Sequence, residues 1–378
     1  MPETTTIKRP AALVKQGSLK LYTTSLRVRD LLLDHFYDIE RLDPSDSGDG
    51  GYQRVLNKAR AKKLADYLIS GHKEQDAFLP TSISLATEKE VSFDPDTNTI
   101  SFDIRSIGPL SVVDGQHRLE GLRLAAEKCP DLLEFEVPVN IGVGLSKIAQ
   151  MCHFLIVNTT QKSVDKSVEQ RIYARLTDAL DVEDVPSLPR WVNRIVESGD
   201  DKQALRIADY LNETEGSPWF GKINMANDDV KSGVINQRSF AIIIKRYVLT
   251  SNNPLTAQDA EKQQKIILNY WTAIANLLDN GKPSVLFKYN GVDLFSRFSI
   301  PFFTRLANSI DFKVSTMEQL LRDTFENLEG EYAGVGHPDW WLSGKTASTF
   351  NNTAMTRLNA ELSKALHKVG ASAGSIQL

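Results

Sequence analysis

The stretch that most constrains the fold is residues 112–126, VVDGQHRLEGLRLAA. An apolar run ends at Asp114 and Gly115, and the apolar residues that follow recur at helical spacing. This pattern predicts a short buried strand over residues 110–114 that leads directly into a helix over residues 116–128. A chain that needs only to turn there can do so with Gly and Asn. The acid, amide, imidazole and guanidinium at this corner therefore mark a candidate functional site.

The chemistry of this corner favours an anion. A helix that begins at Gln116 presents backbone N–H groups without partners, and its dipole adds positive potential, a combination that commonly binds phosphate. Gly115 lets the backbone approach a ligand, Arg118 offers a planar fork for phosphate oxygens, and His117 is a further donor. Asp114 could cap the helix, hold Mg²⁺ or orient an attacking water. The alternative is an ordinary turn, since Asp-Gly is common in turns and Asp is a good N-cap.

The composition of the whole chain excludes several classes of protein. Its 378 residues, 41% of them hydrophobic and 24% charged, are typical of a soluble globular protein and long enough for two compact units. A net charge of −4 gives no global basic field for nucleic acid, although a local basic patch is compatible with it. Cys129 and Cys152 provide neither a disulfide framework nor a zinc spacing. Without an apolar run near ~18 residues or a signal-peptide core, we expect a soluble, cytoplasmic protein.

The order of the predicted elements indicates an α/β (α+β) fold. Strands and helices interleave up to residue 145, and the pattern from residue 146 onward is helical, which predicts a mixed-sheet domain followed by a helical region. We expect a lead-in over residues 1–18, the mixed domain over residues 19–150 and a mainly helical region over residues 151–378.

A basic segment, YQRVLNKARAKKLADYLIS (52–70), precedes the corner. Its apolar residues recur at helical spacing, and Gly71 is a natural helix end. Arg54, Asn57 and Arg60 would then lie on nearly one helical face, at i, i+3 and i+6, and could converge on one ligand. The alternative is a solvated basic helix, which we favour for its lysines.

A third polar group follows the apolar stretch MCHFLIV (151–157). We expect the helix to break at Asn158-Thr159-Thr160, so that Asn158, Gln161 and Lys162 lie in a turn. That turn could be a simple cap for the next helix, or a ligand-binding segment.

Taken together, these segments resemble a known family. Residues 114–118, Asp-Gly-Gln-His-Arg, match the motif that names the DGQHR-domain proteins, which are similar to the ParB/sulfiredoxin superfamily. Residues 53–60 resemble the upstream arginine-rich segment of the family, and residues 158–164 its downstream Asn-x-x-Gln-Lys segment. Leu211-Asn212 with residues 217–223, SPWFGKI, resembles a later family stretch. The similarity covers roughly residues 20–225.

The resemblance implies a ParB/sulfiredoxin-like fold that binds nucleotide phosphates at the start of the helix. It implies ATP, with Mg²⁺ at Asp114, as cofactors. The residues that it places on the nucleotide, besides the candidate catalytic Asp114, His117 and Arg118, are Gly115, Gln116, Arg54, Asn57, Arg60, Asn158, Gln161 and Lys162. Asn158 and Gln161 would contact base or ribose, and Lys162 phosphate.

The family includes DndB-like proteins of DNA phosphorothioation clusters and DpdB-like proteins of 7-deazaguanine DNA-modification clusters, and both branches stay open here. Our first hypothesis is an ATPase accessory of such a restriction-modification or antiviral defence system, acting with a transglycosylase-like or sulfur-transfer enzyme on DNA. The alternative is a transcriptional regulator of a phosphorothioation cluster that binds DNA without turnover. A third hypothesis is an adaptor that joins a modification enzyme to DNA through the C-terminal helices.

Overall fold

A computed structural model of the chain describes residues 6–17, 19–43, 51–160, 166–179, 190–228, 232–307 and 311–370. Of these, the residues within Met1–Ile172 and Asp178–Arg190 form one compact unit. Those within Tyr173–Thr177 and Trp191–Leu378 form a second unit. No helix in the described ranges is long and apolar enough to cross a membrane.

The first unit contains a mixed sheet and several helices, which confirms the predicted α+β class. Its strands are β1 (Thr6–Gln16), β2 (Leu19–Arg27), β3 (Tyr37–Asp38), β4 (Ile83–Ala86), β5 (Ser92–Asp94), β6 (Thr99–Asp103), β7 (Leu110–Asp114) and β8 (Glu136–Val143). Its helices are α1 (Val28–Leu31), α2 (Lys58–Glu74), α3 (Ile104–Ile107), α4 (Gln116–Lys128), a 3-10 helix (Pro130–Glu134), α5 (Lys147–Thr160) and α6 (Lys166–Ala179), whose residues 173–177 belong to the second unit.

The strands form one sheet in the order β3-β7-β4-β8-β2-β1-β6-β5. β2 is antiparallel to both β1 and β8, whereas β4 is parallel to β8 and antiparallel to β7. The antiparallel pairing aligns Ser84, near the start of β4, with Asp114, at the end of β7. The start of α4 therefore lies beside the start of β4, and this placement positions the candidate site.

Helices α2 and α4 pack closely on each other. A Cβ atom added at Gly121 of α4 would lie 2.8 Å from Leu64 Cδ2 of α2, so the absence of a side chain allows the close approach. Ala65 and Leu68 of α2 are buried with Leu119 and Leu122 of α4 in the core of the unit. The predicted strand-to-helix corner is thus anchored on both the sheet and a second helix.

The second unit is mainly helical around an aromatic core. Its helices are α7 (Arg190–Ser198, in this unit from Trp191 onward), α8 (Asp200–Glu213), α9 (Gln237–Tyr247), α10 (Ala260–Leu278), α11 (Tyr289–Ala307), α12 (Val314–Glu326) and α13 (Asn352–Lys368). Short 3-10 helices lie at Pro254–Ala257, Gly330–Tyr332, Pro338–Trp341 and Thr346–Thr349, and β9 (Ile223–Asn224) pairs in parallel with β10 (Ile235–Asn236).

Three expectations about individual segments are corrected. The lead-in expected over residues 1–18 contains β1, which pairs with β2 and β6. The basic helix begins at Lys58 rather than near Arg54, because Asn57 caps it. It also continues past Gly71, whose carbonyl accepts hydrogen bonds from the backbone N–H groups of residues 76 and 77 beyond the helix end.

A fourth correction concerns the end of α5. Helix α5 does not break at Asn158 but continues to Thr160. The Asn158 side chain donates back to the Phe154 carbonyl at 2.8 Å, within the same helix. The rest of the predicted turn, including Gln161 and Lys162, lies outside the described residues.

Trp219, in the SPWFGKI stretch, allows a test of the hydrophobic core of the second unit. Trp219 is fully buried. Its ring makes edge-to-face contacts with the rings of Phe240, Trp271 and Phe287, each with a distance of 5.0 Å between ring centroids. Its neighbour Phe220 is 56% exposed. We expect Trp219→Ala to lower the free energy of unfolding of this unit by about 3–5 kcal/mol, since a large core side chain is lost.

The matched control, Phe220→Ala, should change the same free energy by less than about 0.5 kcal/mol, as surface substitutions do. Urea unfolding followed by far-UV circular dichroism measures both. Equal losses for the two variants would contradict the assignment of Trp219 to the core.

Candidate functional site

The corner between β7 and α4 is built around Gly115. Gly115 is the N-cap residue of α4 and has a φ of 116°, in the left-handed region that favours glycine. A Cβ atom there would lie 3.1 Å from Ile83 Cγ2 of β4, a close contact that requires the isoleucine side chain to shift by a few tenths of an ångström. No side chain caps the helix, and its first backbone N–H groups lack helical partners. The helix start keeps its capacity to bind an anion.

Asp114 forms an ion pair with Arg118 instead of capping α4. Arg118 Nη2 donates to Asp114 Oδ2 at 2.6 Å, and the two residues are four positions apart in the sequence. Arg118 Nε is buried and has no hydrogen-bond partner among the described residues. The pair orients the guanidinium beside the helix start, and the guanidinium retains unused donor capacity.

His117 joins the start of α4 to the start of α2. The backbone N–H of Asn57 donates to His117 Nε2 at 3.0 Å, and the Asn57 side chain in turn accepts from the N–H of Arg60. Partial burial, followed by the positive charges of Arg54 and Arg60, lowers the pKa of His117 to about 4. His117 is therefore neutral near pH 7, with Nε2 as the acceptor and its proton on Nδ1.

The segment before α2 is held against β7 by two buried side chains. Gln53 Nε2 donates to the carbonyls of Val112 and Val113, at 2.5 Å and 3.1 Å. The hydroxyl of Tyr52 donates to the Val112 carbonyl at 3.3 Å. Because residues 52 and 53 are fixed on the strand, Arg54 follows directly beside the corner.

These elements enclose one pocket of about 310 Å³. Three arginines line it, Arg54, Arg60 and Arg118, and the carboxylate of Asp114 is already paired with one of them. The remaining lining residues are Gln53, Leu64, Leu79, Thr81, Gly115, Gln116, His117, Phe154 and Asn158. The charge balance of the pocket is positive although the whole chain is acidic.

Most of the predicted site residues meet in this pocket. All five residues of the DGQHR motif line it, as do Arg54, Arg60 and Asn158. Asn57 does not line it, because its carboxamide caps α2. Arg54 precedes the helix, so the expected single helical face of Arg54, Asn57 and Arg60 is wrong, and the arginines converge from different elements. Gln161 and Lys162 lie outside the described residues, and all the assigned roles stay predictions.

The sequence analysis missed the apolar side of the pocket and the buried anchor at Gln53. Leu64 follows Arg60 by one helical turn, a spacing that places both on one face and that could have identified it. Leu79 and Thr81 lie in the irregular segment that precedes β4 and carry no motif. Their place in the pocket depends on the tertiary fold.

Four further residues with polar or aromatic side chains do not line the pocket and have structural roles: Glu120, Cys152, Trp340 and Trp341. Glu120 accepts two hydrogen bonds from Arg123, at 2.8 Å each, and this interaction lowers the pKa of its carboxyl. Cys152 is buried, and Trp340 and Trp341 are core residues of the second unit. Within the described ranges, no group of three or more His, Cys, Asp or Glu residues could hold a metal ion.

Comparison with protein families finds a match over the part of the chain that contains this site. Residues 9–175 match the DndB family model. That family is described as DNA-sulfur modification-associated. The matched range contains the pocket, so this part of the chain is similar to the DndB family. No curated protein and no solved structure matches the chain.

The lowered pKa of His117 gives a pH-dependent stability. Because the folded state holds the imidazole neutral down to a pKa of about 4, below the ordinary value of 6.5, the unfolded chain takes up a proton first as pH falls. The stability that neutral His117 contributes is therefore complete above pH 6.5 and is lost progressively between pH 6.5 and pH 4. Arg54, Arg60, Asp114 and Arg118 are the charged groups that act on it.

We expect His117→Gln to show a smaller loss of unfolding free energy over this interval than the wild-type protein. Urea unfolding at pH 7 and at pH 5, followed by circular dichroism, measures the difference. The same loss in both proteins would contradict the neutral assignment of His117.

Proposed function

We propose that this pocket binds the phosphates of ATP and that the chain hydrolyses ATP in support of a DNA-modifying partner. The single observation that carries the proposal is the convergence of Arg54, Arg60 and Arg118 on the unobstructed start of α4. Among the residues that the structure describes, Asp114 alone brings a carboxylate to the same pocket. Such a surplus of positive charge at a helix start favours a polyphosphate.

The size of the pocket favours a nucleotide over a DNA duplex. A volume of about 310 Å³ is near the lower end of the roughly 300–1,000 Å³ typical of small-molecule sites. A duplex is a wide rod and cannot enter a concavity of this size, although its backbone could lie across the rim. A free nucleotide can enter with its phosphates first.

Arg60 and Arg118 are the phosphate ligands in this proposal. Among the described residues, the Arg60 guanidinium makes no ion pair or side-chain hydrogen bond that a ligand would have to replace. Arg118 is held in place by Asp114, so less side-chain entropy is lost when it binds. The backbone N–H groups at the start of α4 complete the anion site.

Asp114 is the residue that we assign to hydrolysis. Its Oδ2 atom accepts from Arg118, and its Oδ1 atom has no hydrogen-bond partner among the described residues. Oδ1 can orient a water molecule that attacks the terminal phosphorus. The bond from that phosphorus to the bridging oxygen breaks, which releases ADP and inorganic phosphate. Asp114 with the ATP phosphates is also a donor set that suits Mg²⁺, which would offset their charge.

His117 acts as a positioning residue in this proposal. Its Nε2 atom already accepts from the Asn57 N–H, so this nitrogen is not available to remove a proton from water. The hydrogen bond keeps the start of α4 in register with Arg60 on α2. His117 thus holds two phosphate ligands at a fixed distance and does not take part in proton transfer.

The similarity to the DndB model supports a role in DNA-sulfur modification for the proposed activity. The description of that family, DNA-sulfur modification-associated, favours a phosphorothioation system over a 7-deazaguanine system for this chain. The partner would then be a sulfur-transfer enzyme acting on DNA in the cytoplasm. We also propose a ParB/sulfiredoxin-like relationship for the first unit, on the basis of its DGQHR motif.

The second candidate is a DNA-binding regulator without turnover. Lys58, Lys62 and Lys63 are exposed on α2, the helix that carries Arg60. A row of exposed cations of this kind can bind a DNA backbone, with an affinity that falls steeply with salt.

The two candidates predict different effects of substitution. Arg118→Ala should lower ATP affinity by about 10–100-fold, because a charge-assisted hydrogen bond contributes about 1.5–3 kcal/mol. Asp114→Asn should retain ATP binding and lose turnover. The double variant Lys62→Ala and Lys63→Ala should retain both, since neither lysine lines the pocket. Isothermal titration calorimetry and phosphate release measure the two properties.

Undiminished ATP turnover in Arg118→Ala would contradict the enzyme proposal. Salt-dependent DNA binding that needs no ATP, and that the double lysine variant loses, would instead establish the regulator.

A further inference from the structure

The pocket has a second, apolar side that phosphate alone does not explain. Leu64, Leu79 and Phe154 line it in addition to the three arginines. Leu64 and Leu79 are half-buried, and Phe154 is 2% exposed. Polyphosphate gains nothing from carbon surfaces of this kind, because its oxygens need hydrogen-bond donors. An apolar wall next to a cationic floor fits a ligand with one flat apolar half and one anionic half.

The apolar wall is held rigidly in place. Leu64 packs against Gly121 of α4, and the Phe154 ring lies 5.3 Å from the ring of Tyr52. Tyr52 in turn donates to Val112 of β7. The wall is thus supported by the same strand and helix that form the phosphate end of the pocket. A ligand would meet surfaces that are already ordered.

Asn158 presents a hydrogen-bond acceptor to the pocket. Its Nδ2 atom donates to the Phe154 carbonyl at 2.8 Å, and this contact fixes which end of the carboxamide is the nitrogen, since two oxygens there would repel each other. Its Oδ1 atom has no partner among the described residues. An acceptor repels phosphate oxygens, whereas it suits the amino group of a nucleobase or a ribose hydroxyl.

We infer that Leu64, Leu79, Phe154 and the Oδ1 atom of Asn158 form a nucleoside subsite, which makes the pocket selective for a nucleoside polyphosphate over inorganic polyphosphate. This inference rests on the proposed function, which needs only the phosphate end. The base lies against the leucine and phenylalanine carbons, and an N–H or O–H group of the nucleoside donates to Asn158.

The test compares two ligands that differ only in the nucleoside, ATP and inorganic tripolyphosphate. Isothermal titration calorimetry on the full chain gives both affinities. We expect the wild-type protein to bind ATP at least about tenfold more tightly than tripolyphosphate. Leu79→Ala should lower ATP affinity by about tenfold, as expected for the loss of partial contact with an apolar side chain. Its affinity for tripolyphosphate should stay within about twofold of the wild-type value, which also shows that the variant is folded.

The matched control is Phe78→Ala at the adjacent position. Phe78 is 70% exposed and does not line the pocket, so both affinities should be unchanged. Asn158→Leu keeps a similar side-chain volume but removes the acceptor. This variant should bind ATP more weakly than the wild-type protein and should bind tripolyphosphate with unchanged affinity.

The outcomes separate the inference from the proposed function. Equal affinities of the wild-type protein for ATP and tripolyphosphate would overturn the nucleoside subsite and leave the phosphate site intact. Equal losses of affinity for ATP and for tripolyphosphate in Leu79→Ala would also overturn the nucleoside subsite. Failure of the wild-type protein to bind either ligand would overturn the proposed function itself.

Discussion

The hydrogen bond from the Asn57 backbone to His117 Nε2 is the contact on which the geometry of the site depends. It joins Asn57, the residue that precedes α2, to the first turn of α4. The N-termini of the two helices therefore lie at the same pocket. Arg60 and Arg118 then face a common pocket although they are 58 positions apart in the sequence. The bond requires a neutral imidazole, and partial burial, followed by the charges of the surrounding arginines, favours that state by lowering the pKa of His117. The residues that would attract phosphate therefore also maintain the contact that brings them together.

Close packing around two glycines of the corner, Gly115 and Gly121, also determines the geometry of the site. A Cβ atom at Gly115 would lie 3.1 Å from Ile83 Cγ2, and one at Gly121 would lie 2.8 Å from Leu64 Cδ2, so either addition would require the neighbouring side chain to shift. The first glycine lets β4 lie against the start of α4, and the second lets α2 lie against its middle. Close packing on two sides fixes the direction of α4, so the dipole of this helix points into the pocket. A larger residue at either position would move the anion site and its arginines relative to each other.

The sequence predicts the corner well and its surroundings poorly, for physical reasons. Strand β7 and helix α4 are encoded locally, by an apolar run and a helical spacing that meet at a glycine, and the structure confirms both. The start of α2 is not encoded by apolar spacing, because Gln53 and Asn57 remove residues 53–57 from the helix through contacts with β7 and α4. The apolar wall at Leu79 and Phe154 could not be predicted, since long-range packing alone brings these residues to the site. The convergence of Arg54 and Arg60 was predicted from the wrong geometry, a single helical face, and is produced by tertiary structure instead.

The arrangement of charge is compatible with the proposed binding of a polyphosphate by an acidic protein. The chain carries a net charge of −4, yet Asp114 is the only carboxylate among the described residues that line the pocket, and it is paired with Arg118. Nearby acids are paired elsewhere: Glu120 with Arg123, and Glu40 with Lys147. Screening at physiological ionic strength limits the repulsion from distant surface acids to roughly 8 Å, whereas the arginines act inside the pocket at contact distance. Local pairing of the acids therefore matters more for anion binding than the net charge, and an acidic total does not count against a phosphate site.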